Sequence, residues 1–274
     1  MPELPEVEII RRYITKQIKG KTIASINTLL PRLWRNATVG AAEDALVGLT
    51  VDEVRRRGKY LTIHFVNVDL ILVIHLKLTG SLVYHESSVI ERFDRIIFEF
   101  TDGTELAYGD VRTLGGLYIF INEQAIDLTS YVSMGVEPLS DDFTGAYMYE
   151  VSRRSALPVK TFLLNQKYVA GIGNIYADEA LFKAHIRPTR RANSLTKKES
   201  KALCEAIKDV LSDSLERGGT SFRNYKNGEG KKGNNQNYLQ VYGRSGQYCY
   251  DCGQPLTDMI LRGRHTVYCK HCQK

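Results

Sequence analysis

The hydrophobic positions near the start of the chain recur at helical spacing. Steps of three or four residues connect them, as from Val7 to Ile10, Ile14 and Ile18, which places them on one face of a helix. These positions are Val7, Ile9, Ile10, Tyr13, Ile14 and Ile18. The pattern predicts an amphipathic helix over residues 4–18, ended by Gly20.

From about Thr22 to Asn122 the pattern changes to that of strands. Leu61, Ile63 and Phe65 alternate with polar residues, as expected of a strand with one buried face. Further strands are predicted over 70–75, 95–100, 105–108 and 117–121, with Asp102-Gly103 as a hairpin turn. We therefore predict an α+β fold that begins with an antiparallel β-sandwich and an N-terminal helix.

The second half of the chain is predicted to be helical. Gly135, Pro138 and an acidic pair mark residues 131–142 as a linker. Thr196 and Glu199 form a capping box before an apolar helical face that Gly218-Gly219 ends, and residues 224–237 read as a mobile loop. The predicted domains are residues 1–130, 143–240 and 241–274.

Composition and charge place few limits on function. The chain has 274 residues, of which 43% are hydrophobic and 25% charged, as is usual for globular proteins. No apolar run is long enough to span a bilayer, and the start MPELPEVE does not resemble a secretory signal, so we expect a cytosolic protein. The net charge of +6 fits a polyanionic partner, but also a basic protein that only needs to stay dissolved.

Four of the five cysteines form two CxxC pairs near the end of the chain. Cys249 and Cys252 are separated by sixteen residues from Cys269 and Cys272. This spacing predicts one tetrahedral Zn²⁺ site, and because four thiolates leave no position for water the ion would be structural. The alternative is two redox-active pairs or free thiols. Cys204 falls on the apolar face of a predicted helix and is expected to be a buried small side chain.

The stretch between the two CxxC pairs predicts a basic hairpin. Residues 256–261 and 265–268 read as strands around a turn at Arg262–Gly263. The segment is basic, so a phosphate backbone would be a natural partner. Its basic residues are Arg262, Arg264, Lys270, His271 and Lys274.

A glycine-rich turn, Ala170 to Asn174, precedes a helix predicted to start near Ile175. Glycines at such a turn allow backbone N–H groups to approach a phosphate at the helix N-terminus. A tight turn between two helices would use the same residues.

Several of these segments occur in one order along the whole chain. They are MPELPEVE, RRRGKYL, HLKLTG, QKYVAGIGNIYADEALF, and QVYGR before the four cysteines. In this order the sequence resembles the formamidopyrimidine-DNA glycosylase family of bacterial repair enzymes. The resemblance implies a helix–two-turn–helix domain, a four-cysteine zinc finger, and an enzyme that removes oxidised or ring-opened bases and then cleaves the strand by β,δ-elimination.

The resemblance also implies catalytic residues. The secondary amine of Pro2, exposed once Met1 is removed, matches the nucleophile that attacks C1′ of the sugar and forms a Schiff base. Glu3 matches the acid/base, with Glu6 as a supporting carboxylate. Lys59 and Arg264 match the catalytic residues that bind phosphate beside the lesion.

A further set matches the family's DNA contacts. Asn174 and Arg264 would hold the backbone around a flipped nucleotide, Leu78 would fill the vacated stack, and Arg112 would face the orphaned base. His75 belongs to the same DNA-binding set. The implied partner is duplex DNA with a damaged base or abasic site, bound by a monomer between its two domains in the bacterial cytoplasm, at the nucleoid.

Some positions depart from the family pattern, which leaves the preferred lesion and opposite base open. Phe93 and Arg95 stand where the family usually has two histidines, and Thr113 and Leu114 where it has a basic residue and a phenylalanine. Leucine supplies apolar bulk but no aromatic stacking. Two alternatives remain at this point: a non-catalytic or altered-specificity DNA-damage-binding paralogue, and a zinc-ribbon protein unrelated to DNA.

Overall fold

The computed structural model describes residues 2–222 and 225–274, which form two compact units. The first, here the sandwich unit, contains the residues up to Val132 together with Arg217–Asn234. The second, the helical unit, contains Ser133–Glu216 and Asn235–Lys274. Residues 217–234 therefore belong to the same unit as the N-terminal residues, although the helical segment 133–216 lies between them in the sequence.

The sandwich unit combines one long helix with two antiparallel sheets. Helix α1 spans Leu4–Ile18, and α2, Val39–Leu46, follows the first strand. The strands are β1 Ile23–Thr28, β2 Val51–Arg57, β3 Tyr60–Phe65, β4 Val68–His75, β5 Gly80–His85, β6 Asp94–Phe100, β7 Glu105–Asp110 and β8 Gly116–Phe120. One sheet has the order β1-β6-β7-β5 and the other β2-β3-β4-β8. The predicted α+β fold with antiparallel sheets is confirmed.

One hydrophobic core joins α1 to both sheets. Val7, Ile10, Ile14 and Ile18 of α1 are all fully buried, as the helical spacing predicted. They belong to one cluster with side chains from both sheets, and Trp34 meets Phe98 edge to face within it. Burying this stripe is what stabilises α1, since isolated helices of its length are marginal in water.

Local chemistry sets several of the element ends. Gly20, which follows α1, has a φ of +80°, a conformation that costs glycine little. Helix α2 was not predicted, because its apolar pattern is short and lies within the region predicted to form strands. Thr38 caps it by accepting a hydrogen bond from the Ala41 N–H, the usual role of a threonine at a helix start.

The helical unit contains the remaining elements. Its helices are α4 Gly145–Arg153, α5 Val159–Leu164, α6 Asn174–Lys183 and α7 Lys197–Glu216, after the short α3 Thr129–Val132 of the sandwich unit. The predicted capping box of α7 is confirmed, because Thr196 and Glu199 exchange hydrogen bonds between side chain and backbone N–H. Cys204 of α7 is 4% exposed, as expected.

The four-cysteine segment folds as a hairpin in the helical unit. Strand β9, Thr257–Leu261, pairs with β10, Arg264–Tyr268. Arg262 and Gly263 both have positive φ, of 49° and 76°, which is the geometry of a two-residue type I′ turn. The predicted turn at this position is confirmed.

Within residues 2–222 and 225–274, no helix combines the length and apolar character needed to cross a bilayer. The loop predicted over 224–237 begins at Asn224, which lies outside the described residues. Beyond it, Gly228 accepts a hydrogen bond from the Tyr84 N–H, so this segment is tied to the edge strand β5.

Candidate functional site

The N-terminus of α1 is buried and held by a carboxylate. Pro2 and Glu3 immediately precede the helix, and Glu3 is 1% exposed. The Glu3 N–H donates to Glu6 Oε2 at 2.8 Å. Pro2, Glu3 and Glu6 are therefore brought together by the first turn of one helix, as their spacing predicted.

The other oxygen of Glu6 reaches the segment that follows α7. Glu6 Oε1 accepts a hydrogen bond from the Thr220 N–H at 2.9 Å, within the sandwich unit. Nearby, burial and the Glu6 charge both raise the pKa of Tyr225, so this phenol keeps its proton. Glu6 thus joins the chain start to residues 217–234, a connection that the sequence did not reveal.

Lys59 and His75 lie at the same end of the β2–β3–β4 sheet. Lys59 follows Gly58 in the β2–β3 turn, and Tyr60 is paired with His75 across β3 and β4. Burial, with the nearby charges of Lys77 and Lys59, lowers the pKa of His75 to about 3. His75 is therefore neutral near pH 7, and its Nδ1 accepts the Lys77 N–H at 2.9 Å.

Asp110 joins the two loops that contain Leu78 and Arg112. Its Oδ1 accepts hydrogen bonds from the Thr79 hydroxyl at 2.5 Å and the Arg112 N–H at 3.2 Å. Its Oδ2 accepts the Gly115 N–H at 2.9 Å, and the side chain is completely buried. Asp110 therefore connects the turn after β4 to the loop after β7. The side chain of Arg112, in that loop, is exposed.

The loop between β7 and β8 depends on unusual backbone geometry. Thr113 has a φ of 53°, and its hydroxyl accepts a hydrogen bond from Arg32 at 2.6 Å. A Cβ on Gly115 would lie 2.1 Å from the Tyr108 hydroxyl, so only glycine fits there. Leu114, between them, is 46% exposed and presents apolar bulk at the surface of the sandwich unit.

Phe93 is exposed beside this loop. The side chain is 40% exposed, and the guanidinium groups of Arg92 and Arg95 lie 5.3 Å and 5.7 Å from its ring centre. Its carbonyl accepts the Asp110 N–H at 3.0 Å. Two of the positions that depart from the family pattern, Phe93 and Leu114, are therefore both at the surface. Phe93 is hydrogen-bonded to Asp110 through its backbone, and Leu114 lies in the loop that follows Asp110.

In the helical unit, Asn174 contacts the hairpin. It is the first residue of α6, and its Nδ2 donates to the carbonyl of His265 at 2.9 Å. Arg264, the preceding residue, is exposed at the start of β10. The structure thus brings Asn174 next to the backbone of β10, whereas the sequence placed them 90 positions apart.

The four cysteines of the CxxC pairs form one cluster. Their sulfur atoms all lie within 4.8 Å of one another, and these four residues could hold a metal ion. The distances are 3.9 Å between the sulfurs of Cys249 and Cys272 and 3.5 Å between those of Cys252 and Cys269. Both exceed the length of a disulfide bond, about 2.05 Å. A tetrahedral zinc–thiolate site needs sulfurs about 3.8 Å apart, so the cluster fits that ion.

Sequence reasoning missed the residues that position others through long-range hydrogen bonds. Asp110 and Thr220 are examples in the sandwich unit, and Lys160 with Asp178 in the helical unit. Lys160 lies between Val159 and the apolar run Phe162–Leu164, which is a weak signal for its burial. No local pattern distinguished Asp110 or Thr220.

Comparison with known proteins places these features in one class, DNA-repair proteins built from an N-terminal domain and a helix–two-turn–helix domain. The family model "Formamidopyrimidine-DNA glycosylase N-terminal domain" matches residues 1–117, and "Formamidopyrimidine-DNA glycosylase H2TH domain" matches residues 134–226. The chain is 40% identical to the formamidopyrimidine-DNA glycosylase of Desulforamulus reducens, covering 100% of this chain and 99% of that one. It is 39% identical to that of Cytobacillus firmus, covering 100% of both.

Solved structures agree with this classification. The Lactococcus lactis Fpg (MutM) in complex with Fapy-dG-containing DNA is similar with a TM-score of 0.91 and 34% identity, covering 99% of this chain and 100% of that one. The same TM-score and identity are found for Lactococcus lactis Fpg with abasic-site DNA, covering 99% of each chain. The chain belongs to the formamidopyrimidine-DNA glycosylase family.

Proposed function

We propose that this protein is a bifunctional DNA glycosylase and AP lyase of base-excision repair, which removes oxidised or ring-opened bases from duplex DNA. The observation that carries the proposal is the buried start of α1, where Pro2 directly precedes Glu3 and Glu6 in a chain matched over its full length by this family. Double-stranded DNA with a damaged base or an abasic site is the partner, and the bacterial cytoplasm, at the nucleoid, is the place of action.

Pro2 is the proposed nucleophile. Its nitrogen is a secondary amine once Met1, which lies outside the described residues, has been removed. Attack on C1′ forms the N–C1′ bond as the C1′–base bond breaks, and the base leaves with a proton. The C1′–O4′ bond then breaks as the nitrogen lone pair forms an iminium with C1′, and O4′ takes up a proton. The iminium withdraws electrons from C2′, whose proton is lost as the 3′ phosphate leaves; the 5′ phosphate leaves in the second elimination.

Glu3 is proposed to move protons during these steps, and Glu6 to hold the helix start in place. The Glu3 side chain follows the nucleophile directly, so it can protonate the opening sugar. Both carboxylate oxygens of Glu6 accept hydrogen bonds from backbone N–H groups, at 2.8 Å and 2.9 Å. These bonds suit a supporting role better than proton transfer.

The remaining residues are proposed to bind DNA. Lys59 and Arg264 would neutralise phosphate charge, and Asn174 would donate to the same backbone region. Leu78 and Arg112, which Asp110 links, would fill the space of the flipped nucleotide and face the orphaned base. His75 is neutral and would contribute as a hydrogen-bonding or packing group rather than a cation.

Zn²⁺ is the proposed ion of the four-cysteine cluster. When bound by Cys249, Cys252, Cys269 and Cys272, zinc supplies a fixed crosslink and no reactive position, since four thiolates complete its coordination. The hairpin of β9 and β10 then presents Arg264. We accordingly propose that residues 1–130 carry the chemistry, and that 143–240 and the finger 241–274 carry DNA contacts after the 131–142 linker.

Borohydride trapping on abasic-site DNA tests the proposal. The processed protein should form a covalent adduct, because borohydride reduces the iminium to a stable amine. Pro2→Gly and protein that retains Met1 are the matched comparisons, and each should lose the adduct, the former by at least about tenfold. A processed protein that binds abasic DNA but gives no adduct would contradict the proposed chemistry.

A further inference from the structure

Lys160 and Asp178 form a buried ion pair in the helical unit. Lys160 Nζ of α5 lies 2.7 Å from Asp178 Oδ1 of α6, and each side chain is 1% exposed. Removing both charges from water is costly, and apolar pairs of similar volume often stabilise a protein as well or better. Cohesion between α5 and α6 therefore does not by itself explain this pair.

The pair is directed at three consecutive residues of β10. Lys160 Nζ donates to the carbonyl of His265 at 2.8 Å and to the Thr266 hydroxyl at 2.9 Å. Asp178 Oδ2 accepts the Val267 N–H at 3.1 Å. Charge-assisted hydrogen bonds of this kind are strong and directional, so they fix the position of β10 along α5 and α6 in a way that apolar contacts cannot.

One backbone atom connects this network to the proposed phosphate contacts. The His265 carbonyl that accepts from Lys160 also accepts from Asn174 Nδ2 at 2.9 Å. Thr266, the second acceptor for Lys160, donates its hydroxyl proton to the carbonyl of Arg264 at 3.1 Å. The network therefore fixes the backbone carbonyls of Arg264 and His265. Through the His265 carbonyl it also fixes the side-chain amide of Asn174.

We propose that Lys160 and Asp178 are positioning residues for DNA binding, which set the spacing between Asn174 and Arg264. The inference rests on the proposed function of those two residues. Lys160 and Asp178 do not themselves contact DNA, since both are enclosed. Their effect is to align two donors on the phosphate backbone before DNA arrives, which lowers the cost of ordering them on binding.

The main test replaces the ion pair by an apolar pair, Lys160→Met with Asp178→Leu. This change avoids an unpaired buried charge, so we expect the zinc content to be retained and the thermal midpoint to stay at or above that of the parent. The affinity for a duplex with a tetrahydrofuran abasic analogue should fall by about tenfold or more, because two phosphate donors lose their alignment. The single-turnover rate at saturating DNA should remain within about twofold.

A surface ion pair in the same unit provides the matched control. Lys183 and Asp209 lie 2.9 Å apart and are 45% and 53% exposed. Lys183→Met with Asp209→Leu makes the same chemical changes, and the affinity should change by no more than about twofold, since exposed pairs contribute little. A loss of affinity in the control equal to that in the buried variant would overturn the proposal.

A second variant keeps both charges. Thr266→Val removes one Lys160 acceptor and the bond to the Arg264 carbonyl, while preserving shape at a fully buried position. We expect a loss of affinity of about threefold or more. The proposal is wrong if the apolar double variant folds, contains zinc and binds the duplex as tightly as the parent. If that double variant does not fold, Thr266→Val decides the question, and parental affinity in Thr266→Val would contradict the proposal.

Hydrogen exchange on the free protein separates this inference from the proposed function. In the apolar variant, the amides of Thr266 and Val267 should exchange faster than in the parent, whereas those of α7 should not change. Failure of the parent in borohydride trapping would contradict the proposed function. Unchanged exchange in β10 would contradict the positioning role, whatever the enzymatic result.

Discussion

At the scale of single residues, Glu6 shows how one buried carboxylate organises a candidate active site. Its two oxygens accept the N–H groups of Glu3 and Thr220, at 2.8 Å and 2.9 Å. The sequence indicated a supporting acid in the first helical turn, but not that it would hold a segment more than two hundred residues away. These contacts favour a positioning role for Glu6 over proton transfer.

Glu6→Gln should therefore slow adduct formation. Glutamine has a single acceptor oxygen, so its amide NH₂ would face one of the two N–H groups, at a cost of about 1–3 kcal/mol in the free energy of unfolding. Borohydride trapping rates and thermal unfolding measure both effects. Glu86→Gln, at an exposed site of the same unit, should alter neither; a parental trapping rate in Glu6→Gln would refute the supporting role.

Glu8 is a second buried carboxylate of α1, and its partners are arginines. The side chain accepts from Arg11 at 2.7 Å and Arg12 at 2.8 Å, and Arg56 of β2 lies 3.0 Å away. Burial by itself would raise the pKa of Glu8, but the hydrogen bonds and charges of the arginines outweigh burial and lower the pKa to about 2.

This lowered pKa predicts a pH-dependent contribution to stability. Because the folded pKa is below the ordinary value of 4.5, the contribution is complete above pH 4.5 and is lost as the pH falls towards 2. Glu8→Gln should lower the free energy of unfolding by about 2 kcal/mol at pH 7. Urea unfolding of both proteins from pH 7 to pH 3 should show this difference shrinking; a constant difference would mean that charge is not its source.

At the scale of elements, Asp110 determines how two loops act together. It ends β7, and its carboxylate binds the Thr79 hydroxyl and the backbone N–H groups of Arg112 and Gly115. A strand-ending aspartate is common, and nothing in its neighbours along the chain indicated the turn that holds Leu78. The loop bearing Arg112 and the turn bearing Leu78 should therefore lose their alignment together.

Asp110→Asn tests this coupling. The asparagine side chain has one acceptor oxygen where aspartate has two, so it can accept fewer of these hydrogen bonds. The 111–115 loop should therefore loosen while the sandwich unit stays folded. Cleavage of one lesion opposite each of the four bases should show the preference among opposite bases reduced by about threefold or more. Asp127→Asn, at an exposed position, is the control; an unchanged preference in Asp110→Asn would separate Arg112 from opposite-base reading.

The finger hairpin was the element best predicted from the sequence. Its turn, its strands and the clustering of its cysteines all depend on residues within 24 positions of one another, from Cys249 to Cys272. Its attachment to α5 and α6 was not predictable, since Lys160 lies 105 positions from His265. Local spacing determines the hairpin, and long-range hydrogen bonds determine where it is held.

At the scale of the whole molecule, the four-cysteine cluster and the proposed nucleophile lie in different units. Pro2 belongs to the sandwich unit, and the four cysteines belong to the helical unit. A structural ion in one unit should therefore affect DNA binding before it affects the chemistry of the other. The excess positive charge of the chain, +6, adds a general attraction to DNA that salt would screen.

Cys269→Ser should accordingly lose zinc and weaken DNA binding. Loss of one thiolate removes the crosslink of the hairpin, so we expect the affinity for abasic-analogue DNA to fall by at least about tenfold and trapping to fall as a consequence. Metal analysis and binding titrations give the two quantities, and Cys204→Ala, outside the cluster, should retain both. Full affinity in Cys269→Ser would exclude the finger from DNA binding.

What the sequence by itself determined is local or ordered along the chain. Helix α1, the hairpin turns at Asp102-Gly103 and Arg262-Gly263, the α7 capping box and the CxxC ligand set follow from spacing over a few residues. The family resemblance, which the comparisons confirm over the full length, came from the order of short motifs.

What only the tertiary structure decided are contacts between distant positions. Glu6 with Thr220, Asp110 with Thr79, and Lys160 with the His265 carbonyl are separated by 214, 31 and 105 positions. Such hydrogen bonds form because the packed core brings these groups together and removes them from water, where each buried polar atom then needs a partner. For that physical reason the sequence predicted which residues carry the proposed chemistry, and only the fold decided which residues hold them in place.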